Sequence, residues 1–181
     1  KSETDKYVAE MASKDFTTVS LRAATVCGWS PRMRLDLTVN ILTTHAVTRG
    51  QITVHGGQQM RPNIVIDDLI EAYATLLEAP ADRVNGRAYN VGGDNYSVLD
   101  IAKIVASSVA PDAKVVVESV VDRRSYHVSS QRIRDELGFV PKFDISYAAG
   151  KVAEALRDGR ISDPEQSRYR NLAHMKAQGF H

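Results

Sequence analysis

The residues best suited to chemistry in this sequence are a glycine pair and the arginine that follows it. Gly56 and Gly57 predict a tight turn, because glycine alone adopts a positive φ without strain. Arg61 comes after that turn, and its planar guanidinium is suited to binding a phosphate through two charge-assisted hydrogen bonds. The local pattern leaves open an alternative, in which Arg61 is a surface arginine or pairs with Asp67 or Asp68.

Two strands and a helix are predicted around this arginine. Ile52 and Val54 alternate with polar residues, which is the pattern of a short, half-buried strand. An apolar run over residues 63–66 predicts a second strand, and Asp67 is placed to cap the helix that follows. Pro80 is expected to end that helix, because proline cannot continue it.

The rest of the chain alternates strands with helices, which predicts an α/β fold. The clearest strand is the β-branched, apolar run over residues 16–27. Ligands of open α/β sheets lie beyond the carboxyl ends of parallel strands, so residues 24–28 are expected beside a site. Ser97 and Asp100 resemble a capping box, and Gly50 is suited to the end of a helix. Helices are predicted over residues 35–49, 68–78, 98–109 and 146–157.

Length and composition limit the classes of protein to consider. The 181 residues are 43% hydrophobic and 25% charged with a net charge of +1, which gives no overall field for nucleic acid or an anionic membrane. No apolar run reaches the roughly 20 residues of a membrane helix. The single cysteine, Cys27, excludes an internal disulfide and predicts a reducing, cytoplasmic compartment. No spacing of cysteine and histidine predicts a metal site.

Several motifs, in their order, resemble extended short-chain dehydrogenases/reductases, the family of NAD-dependent nucleotide-sugar epimerases and dehydratases. The sequence departs from the family pattern at Val65, where a histidine is usual, and at Thr25, where an asparagine is frequent. The matching segments are LRAATVCG at 21–28, RMRLDLTVN at 32–40, GGQQMRPNIVIDDL at 56–69, YNVG at 89–92, DRRSY at 122–126 and ELGF at 136–139.

The resemblance implies the closing part of a Rossmann-type parallel sheet plus a smaller mixed α/β substrate-binding lobe. Residues 1–34 would be the C-terminal portion of the dinucleotide-binding domain. Residues 35–181 would be mainly the substrate-binding lobe, with residues 68–93 returning to the Rossmann sheet. The sequence has no glycine-rich dinucleotide fingerprint, so this part alone is expected to be inactive, with the fingerprint and the catalytic tyrosine upstream of Lys1.

The resemblance also implies roles for individual residues. Lys1 would be the catalytic lysine that holds the nicotinamide ribose, unless it is merely the first residue of the sequence. Of two neighbouring arginines, Arg124 is the candidate phosphate ligand and Arg123 is expected to be a solvated charge. His55 either stacks on the nucleotide base or faces solvent. Contacts to NAD or NADP are expected from Lys1, Ala24, Thr25 and Val26, and contacts to the nucleotide-sugar from Thr25, Asn40, Thr53, His55, Arg61 and Arg124.

The implied activity of the intact enzyme, expected to be a homodimer, is hydride transfer at a sugar carbon of a nucleoside-diphosphate sugar. Two alternatives remain, a nucleotide-sugar ketoreductase of the same family and a non-catalytic nucleotide-binding or regulatory relative. The residues upstream of Lys1 would separate them, since a regulator can lack the tyrosine. Nucleic-acid binding has little support, because the basic residues are not interleaved with aromatic ones.

Overall fold

The computed structural model describes residues 2–120 and 124–179. No helix in this part of the chain is long and apolar enough to cross a membrane. The helices are α1 (Ser2–Glu10), α2 (Thr38–Arg49), α3 (Ile66–Glu78), α4 (Ala81–Val84), α5 (Val98–Val109), α6 (Gln131–Leu137), α7 (Ile145–Arg157) and α8 (Asn171–Ala177), with a 3₁₀ turn at Ser167–Tyr169. The strands are β1 (Val19–Ala23), β2 (Thr25–Cys27), β3 (Gln51–His55), β4 (Met60–Val65), β5 (Arg87–Val91), β6 (Asn95–Ser97) and β7 (Lys114–Glu118).

Most of the described strands pair in parallel. Strand β1 lies parallel to β5, β2 lies parallel to β4, and β3 lies parallel to β7. Only the pairing of β4 with β6 is antiparallel among the described residues. The expectation of a mixed α/β fold with parallel strands is therefore confirmed.

The predicted strand over residues 16–27 is two short strands instead of one. The N–H of Ala24 donates to the carbonyl of Val91 at 2.8 Å, which is the last contact with β5. The next residue, Thr25, already pairs with Asn63 of β4. The prediction was wrong in the extent of the strand and right in its parallel direction. The chain thus changes its pairing partner where the predicted site residues lie.

Helix α3 begins at Ile66, two residues earlier than predicted, and Asp67 does not cap it. The N-cap position is Val65, which makes no side-chain capping bond, and both aspartates lie in the first turn. Asp68 is 1% exposed, and its two carboxylate oxygens accept the backbone N–H groups of Lys142 and Phe143 at 2.8 and 3.0 Å. This carboxylate therefore ties the segment before α7 to the start of α3.

Two apolar cores lie on the two sides of the β2–β4 pair. One core joins Cys27 and Val65 to helices α2, α5 and α7, and the other joins Ile64 and Tyr89 to helix α3. Successive side chains of a strand point to opposite faces, so Ile64 and Val65 separate the two cores. The cores hold β2 rigidly from both sides and fix where its carboxyl end emerges.

Candidate functional site

An open cavity of about 510 Å³ lies where β2 ends and the chain turns toward α2. Residues 23–26 form one wall, the β2–α2 loop forms a second, and Tyr126 forms a third. The cavity brings together four of the predicted site residues, Ala24, Thr25, Val26 and Asn40. It lies where the ligand of an open α/β sheet is expected, outside the carboxyl end of a parallel strand.

The loop after β2 is shaped by Gly28 and Asn40. Gly28 has a φ of 101°, and a Cβ there would lie 3.3 Å from Cγ2 of Ile66, so a larger residue would be strained. The N–H of Gly28 donates to Oδ1 of Asn40 at 3.0 Å, and Nδ2 of Asn40 donates to the carbonyl of Arg34 at 2.8 Å. Asn40 is only 2% exposed. Its amide, predicted to bind the substrate, holds the cavity wall in place.

Tyr126 stands across the cavity from β2. Its hydroxyl lies 3.5 Å from Oγ1 of Thr25, and its ring lies 6.0 Å from the guanidinium carbon of Arg61. Tyr126 is 47% exposed, so part of this residue is accessible to a ligand. Tyr126 was not among the site residues expected from the sequence. Its only sequence signal was its place two residues after Arg124 in the DRRSY motif.

Arg61 and Arg124, which are 63 residues apart in sequence, are neighbours in the structure. Nη1 of Arg61 donates to the carbonyl of Met60 at 2.9 Å and to the carbonyl of Arg124. The N–H of Met60 donates to Oγ of Ser125 at 3.0 Å. These bonds fasten residues 124–126 along the start of β4, which places both predicted phosphate ligands beside Tyr126.

Thr53 and His55 lie apart from this cavity. They are on the outward face of β3, where they line a separate opening of about 480 Å³ together with His45 and Arg49. Nδ1 of His55 lies 3.0 Å from Oε2 of Glu118, and both side chains are more than half exposed, so the pair contributes little to stability. The pKa of His45 is lowered, mainly by its burial. The structure thus does not bring Thr53 and His55 together with Thr25 and Asn40.

The charges around the first cavity suit an anionic ligand. Arg32 and Arg34 line it, and none of its described lining residues is acidic. Arg34 forms two hydrogen bonds of 2.9 Å with Asp36, and this pairing raises the pKa of its guanidinium. The predicted catalytic lysine, Lys1, and the neighbouring Arg123 lie outside the described residues.

Comparisons with known proteins support one family. The model of the "NAD dependent epimerase/dehydratase family" matches residues 1–92. The UDP-D-apiose/UDP-D-xylose synthase 2 of Arabidopsis thaliana is 34% identical over 83 residues, which are 46% of this chain and 21% of the plant protein. The matched part of the chain includes the β2 strand, the Arg61 stretch and α3.

Two solved structures share the fold. The UDP-glucuronic acid 4-epimerase of Bacillus cereus, solved with UDP-glucuronic acid and NAD, is 24% identical with a TM-score of 0.65 over 77% of this chain and 45% of its own. The UDP-glucose 4-epimerase of Thermotoga maritima, solved with UDP-glucose, is 21% identical with a TM-score of 0.70 over 88% of this chain and 52% of its own. The chain thus spans about half the length of these two structures and about a fifth of the plant relative.

Proposed function

The chain belongs to the NAD dependent epimerase/dehydratase family, and from this we propose that it supplies the nucleotide-sugar-binding part of an NAD(P)-dependent enzyme. The proposed activity is hydride transfer at a sugar carbon of a nucleoside-diphosphate sugar. The observation that carries the proposal is the cavity at the carboxyl end of β2, flanked by Arg61 and the chain segment of Arg124. The UDP-sugars named for the two solved epimerases are consistent with this substrate class.

The junction between β1 and β2 fits the nicotinamide portion of a dinucleotide. Ala23 and Ala24 are small, so the wall that they form leaves room for a flat ring, and Thr25 offers a hydroxyl for hydrogen bonding. When bound, the cofactor supplies the hydride acceptor and donor for the sugar carbon. Lys1 is proposed to hold the ribose, as the family resemblance implies.

The diphosphate is proposed to bind beside Arg61 and Arg124. The carbonyl groups of Met60 and Arg124 orient the guanidinium of Arg61, and an oriented donor loses less entropy when a ligand binds. Arg32, which lines the cavity and forms no ion pair within the described residues, adds to the attraction for a phosphate. We assign Asn40 to positioning of the loop, and Thr53 and His55 on β3 to the nucleotide base.

The experiment is a calorimetric titration of the protein, as its gene encodes it, with UDP. Arg61→Ala is expected to weaken UDP binding by about ten- to a hundred-and-fifty-fold, because a hydrogen bond to a charged group contributes roughly 1.5–3 kcal/mol. Arg61→Lys should recover only part of this loss, since an ammonium lacks the bidentate fork. Arg123→Ala is the neighbouring control and should bind UDP as the unaltered protein does.

Two results would contradict the assignment. Unchanged UDP affinity in Arg61→Ala would place the diphosphate elsewhere, and an equal loss of UDP and NAD affinity would indicate a folding defect. Intact UDP binding without turnover of any UDP-sugar would favour the non-catalytic nucleotide-binding relative over the enzyme.

A further inference from the structure

A second cavity, of about 420 Å³, lies apart from the first, between the ends of β4 and β5 and helices α6 and α7. The two cavities share no described lining residue. Buried residues form its floor, including Cys27 and Asn63, and the exposed side chains of Arg134 and Lys142 stand at its mouth. The proposed nucleotide-sugar site therefore does not account for this space.

Asn63 leaves a hydrogen-bond acceptor unused in the floor of this cavity. The side chain is 4% exposed, and its Nδ2 donates to the carbonyl of Arg61 at 2.9 Å. Its Oδ1 is buried and has no hydrogen-bond partner in the described part of the chain. Buried acceptors in native proteins nearly always have a donor, so this oxygen calls for one from outside the chain.

The neighbouring thiol does not supply that donor. Cys27 is 1% exposed, and its Sγ donates to the carbonyl of Ile64 at 3.5 Å. Burial, with a smaller contribution from the carboxylate of Asp68, raises the pKa of the Cys27 thiol to about 12. The thiol of Cys27 therefore stays neutral and hydrogen-bonded to the carbonyl of Ile64. Neither Cys27 nor Asn63 brings a charge to the floor of the cavity.

The mouth of the cavity offers cationic donors. Within residues 2–120 and 124–179, the structure gives neither Arg134 nor Lys142 a side-chain hydrogen bond or an ion pair. The two carboxylates of the same lining are engaged, since Asp94 accepts the hydroxyl of Tyr96 at 3.2 Å and Asp144 caps the first turn of α7. The donors at the mouth are thus available to an anion, while the lining as a whole is neutral.

We propose that this cavity binds a small organic carboxylate whose skeleton also carries a hydrogen-bond donor, either a hydroxyl or an ammonium group. The carboxylate pairs with Arg134 and Lys142 at the mouth, and the donor satisfies Oδ1 of Asn63 in the floor. The ligand would occupy a space that shares no described lining residue with the cavity at β2.

The test uses three four-carbon carboxylates that differ at one position, namely 3-hydroxybutyrate, 3-aminobutyrate and butyrate. Each is titrated into the protein, as its gene encodes it, with ligand-observed NMR as the readout. At least one of the two substituted probes is expected to bind saturably, about two- to tenfold more tightly than butyrate, which is what one net hydrogen bond contributes. The better probe tells whether the ligand is a hydroxy acid or an amino acid.

Variants then locate the binding. Arg134→Met and Lys142→Met are each expected to weaken binding of the better probe by about two- to fivefold, the range of exposed ion pairs. Asn63→Leu should remove the preference over butyrate. Lys103→Met changes an exposed lysine of α5 that does not line the cavity, and it serves as the matched control.

Three outcomes overturn the proposal. No saturable binding of either substituted probe would mean that the cavity holds water only. Equal binding of all three carboxylates would mean that Asn63 plays no part, and this comparison stands even if Asn63→Leu does not fold. If Lys103→Met weakened binding of the better probe as much as Lys142→Met does, the binding would be a general attraction of an anion to positive charge and not recognition by this cavity.

Discussion

Replacing Asp68 with asparagine is expected to destabilise the protein, although the two side chains have nearly the same shape. The carboxylate accepts two backbone N–H groups from the segment before α7, at 2.8 and 3.0 Å. An asparagine keeps one acceptor and turns an NH₂ group toward the other N–H. The loss of one hydrogen bond to a charged, buried acceptor is expected to lower the free energy of unfolding by about 1.5–3 kcal/mol.

The adjacent Asp67 provides the matched control. Asp67 is exposed and lies in the same first turn of α3, so Asp67→Asn removes only the interaction of a carboxylate with the helix dipole, about 0.3–1 kcal/mol. Asp68→Asn loses that interaction as well. The difference in the free energy of unfolding between the two variants therefore measures the hydrogen bonding of Asp68 to the segment before α7.

Urea unfolding followed by circular dichroism measures both variants, with the m-value as the check that unfolding stays two-state. Equal midpoints for Asp67→Asn and Asp68→Asn would refute the reasoning, because the buried bonds would then contribute nothing. A changed m-value in Asp68→Asn would show that the substitution alters the compactness of the folded or the unfolded state. The loss of stability could then not be assigned to one hydrogen bond.

Two further results are expected. Glu136 accepts hydrogen bonds from Arg132, Tyr89 and Arg87, which lower its pKa from 4.5 to about 2, so its stabilising effect is present above about pH 4.5 and is lost as the pH falls toward about 2. Glu136→Gln should therefore flatten the acid side of a profile of melting temperature against pH. Cys27 should not react with a thiol reagent such as dithionitrobenzoate until urea unfolds the protein, because the neutral thiol is 1% exposed.

The features predicted correctly from the sequence depend on residues close together in the chain. Gly50 ends α2 with a φ of 63°, as a glycine after a helix predicts. Ser97 caps α5 by accepting the N–H of Asp100 at 3.1 Å, as the capping-box pattern predicts. Gly56 and Gly57 both have positive φ at the predicted turn. Such conformations are set by neighbours, so a short window of sequence contains the cause.

The features that the sequence did not predict depend on distant partners. The strand is interrupted at Ala24 because residues 19–23 pair with β5 and residues 25–27 pair with β4. Residues 16–27 alone do not show which strand each part will pair with. The carboxylate of Asp68 was assigned no role, because its two partners lie 74 and 75 residues away. The family resemblance, by contrast, assigned Arg61 and Arg124 to the same ligand. The order of motifs along a family's sequences carries information about residues that are distant in the chain and close in the fold, whereas a local sequence pattern does not.

The change of pairing partner at Ala24 also has a mechanical consequence. Strand β1 pairs with β5 and strand β2 pairs with β4, and the covalent chain passes from the first ladder to the second through the single residue Ala24. A change in the angle between the two ladders would therefore be taken up by the backbone at Ala24, where the chain crosses from one ladder to the other. Thr25, the first residue of β2, lines the cavity directly after Ala24, so such a change in angle would also move this wall of the cavity.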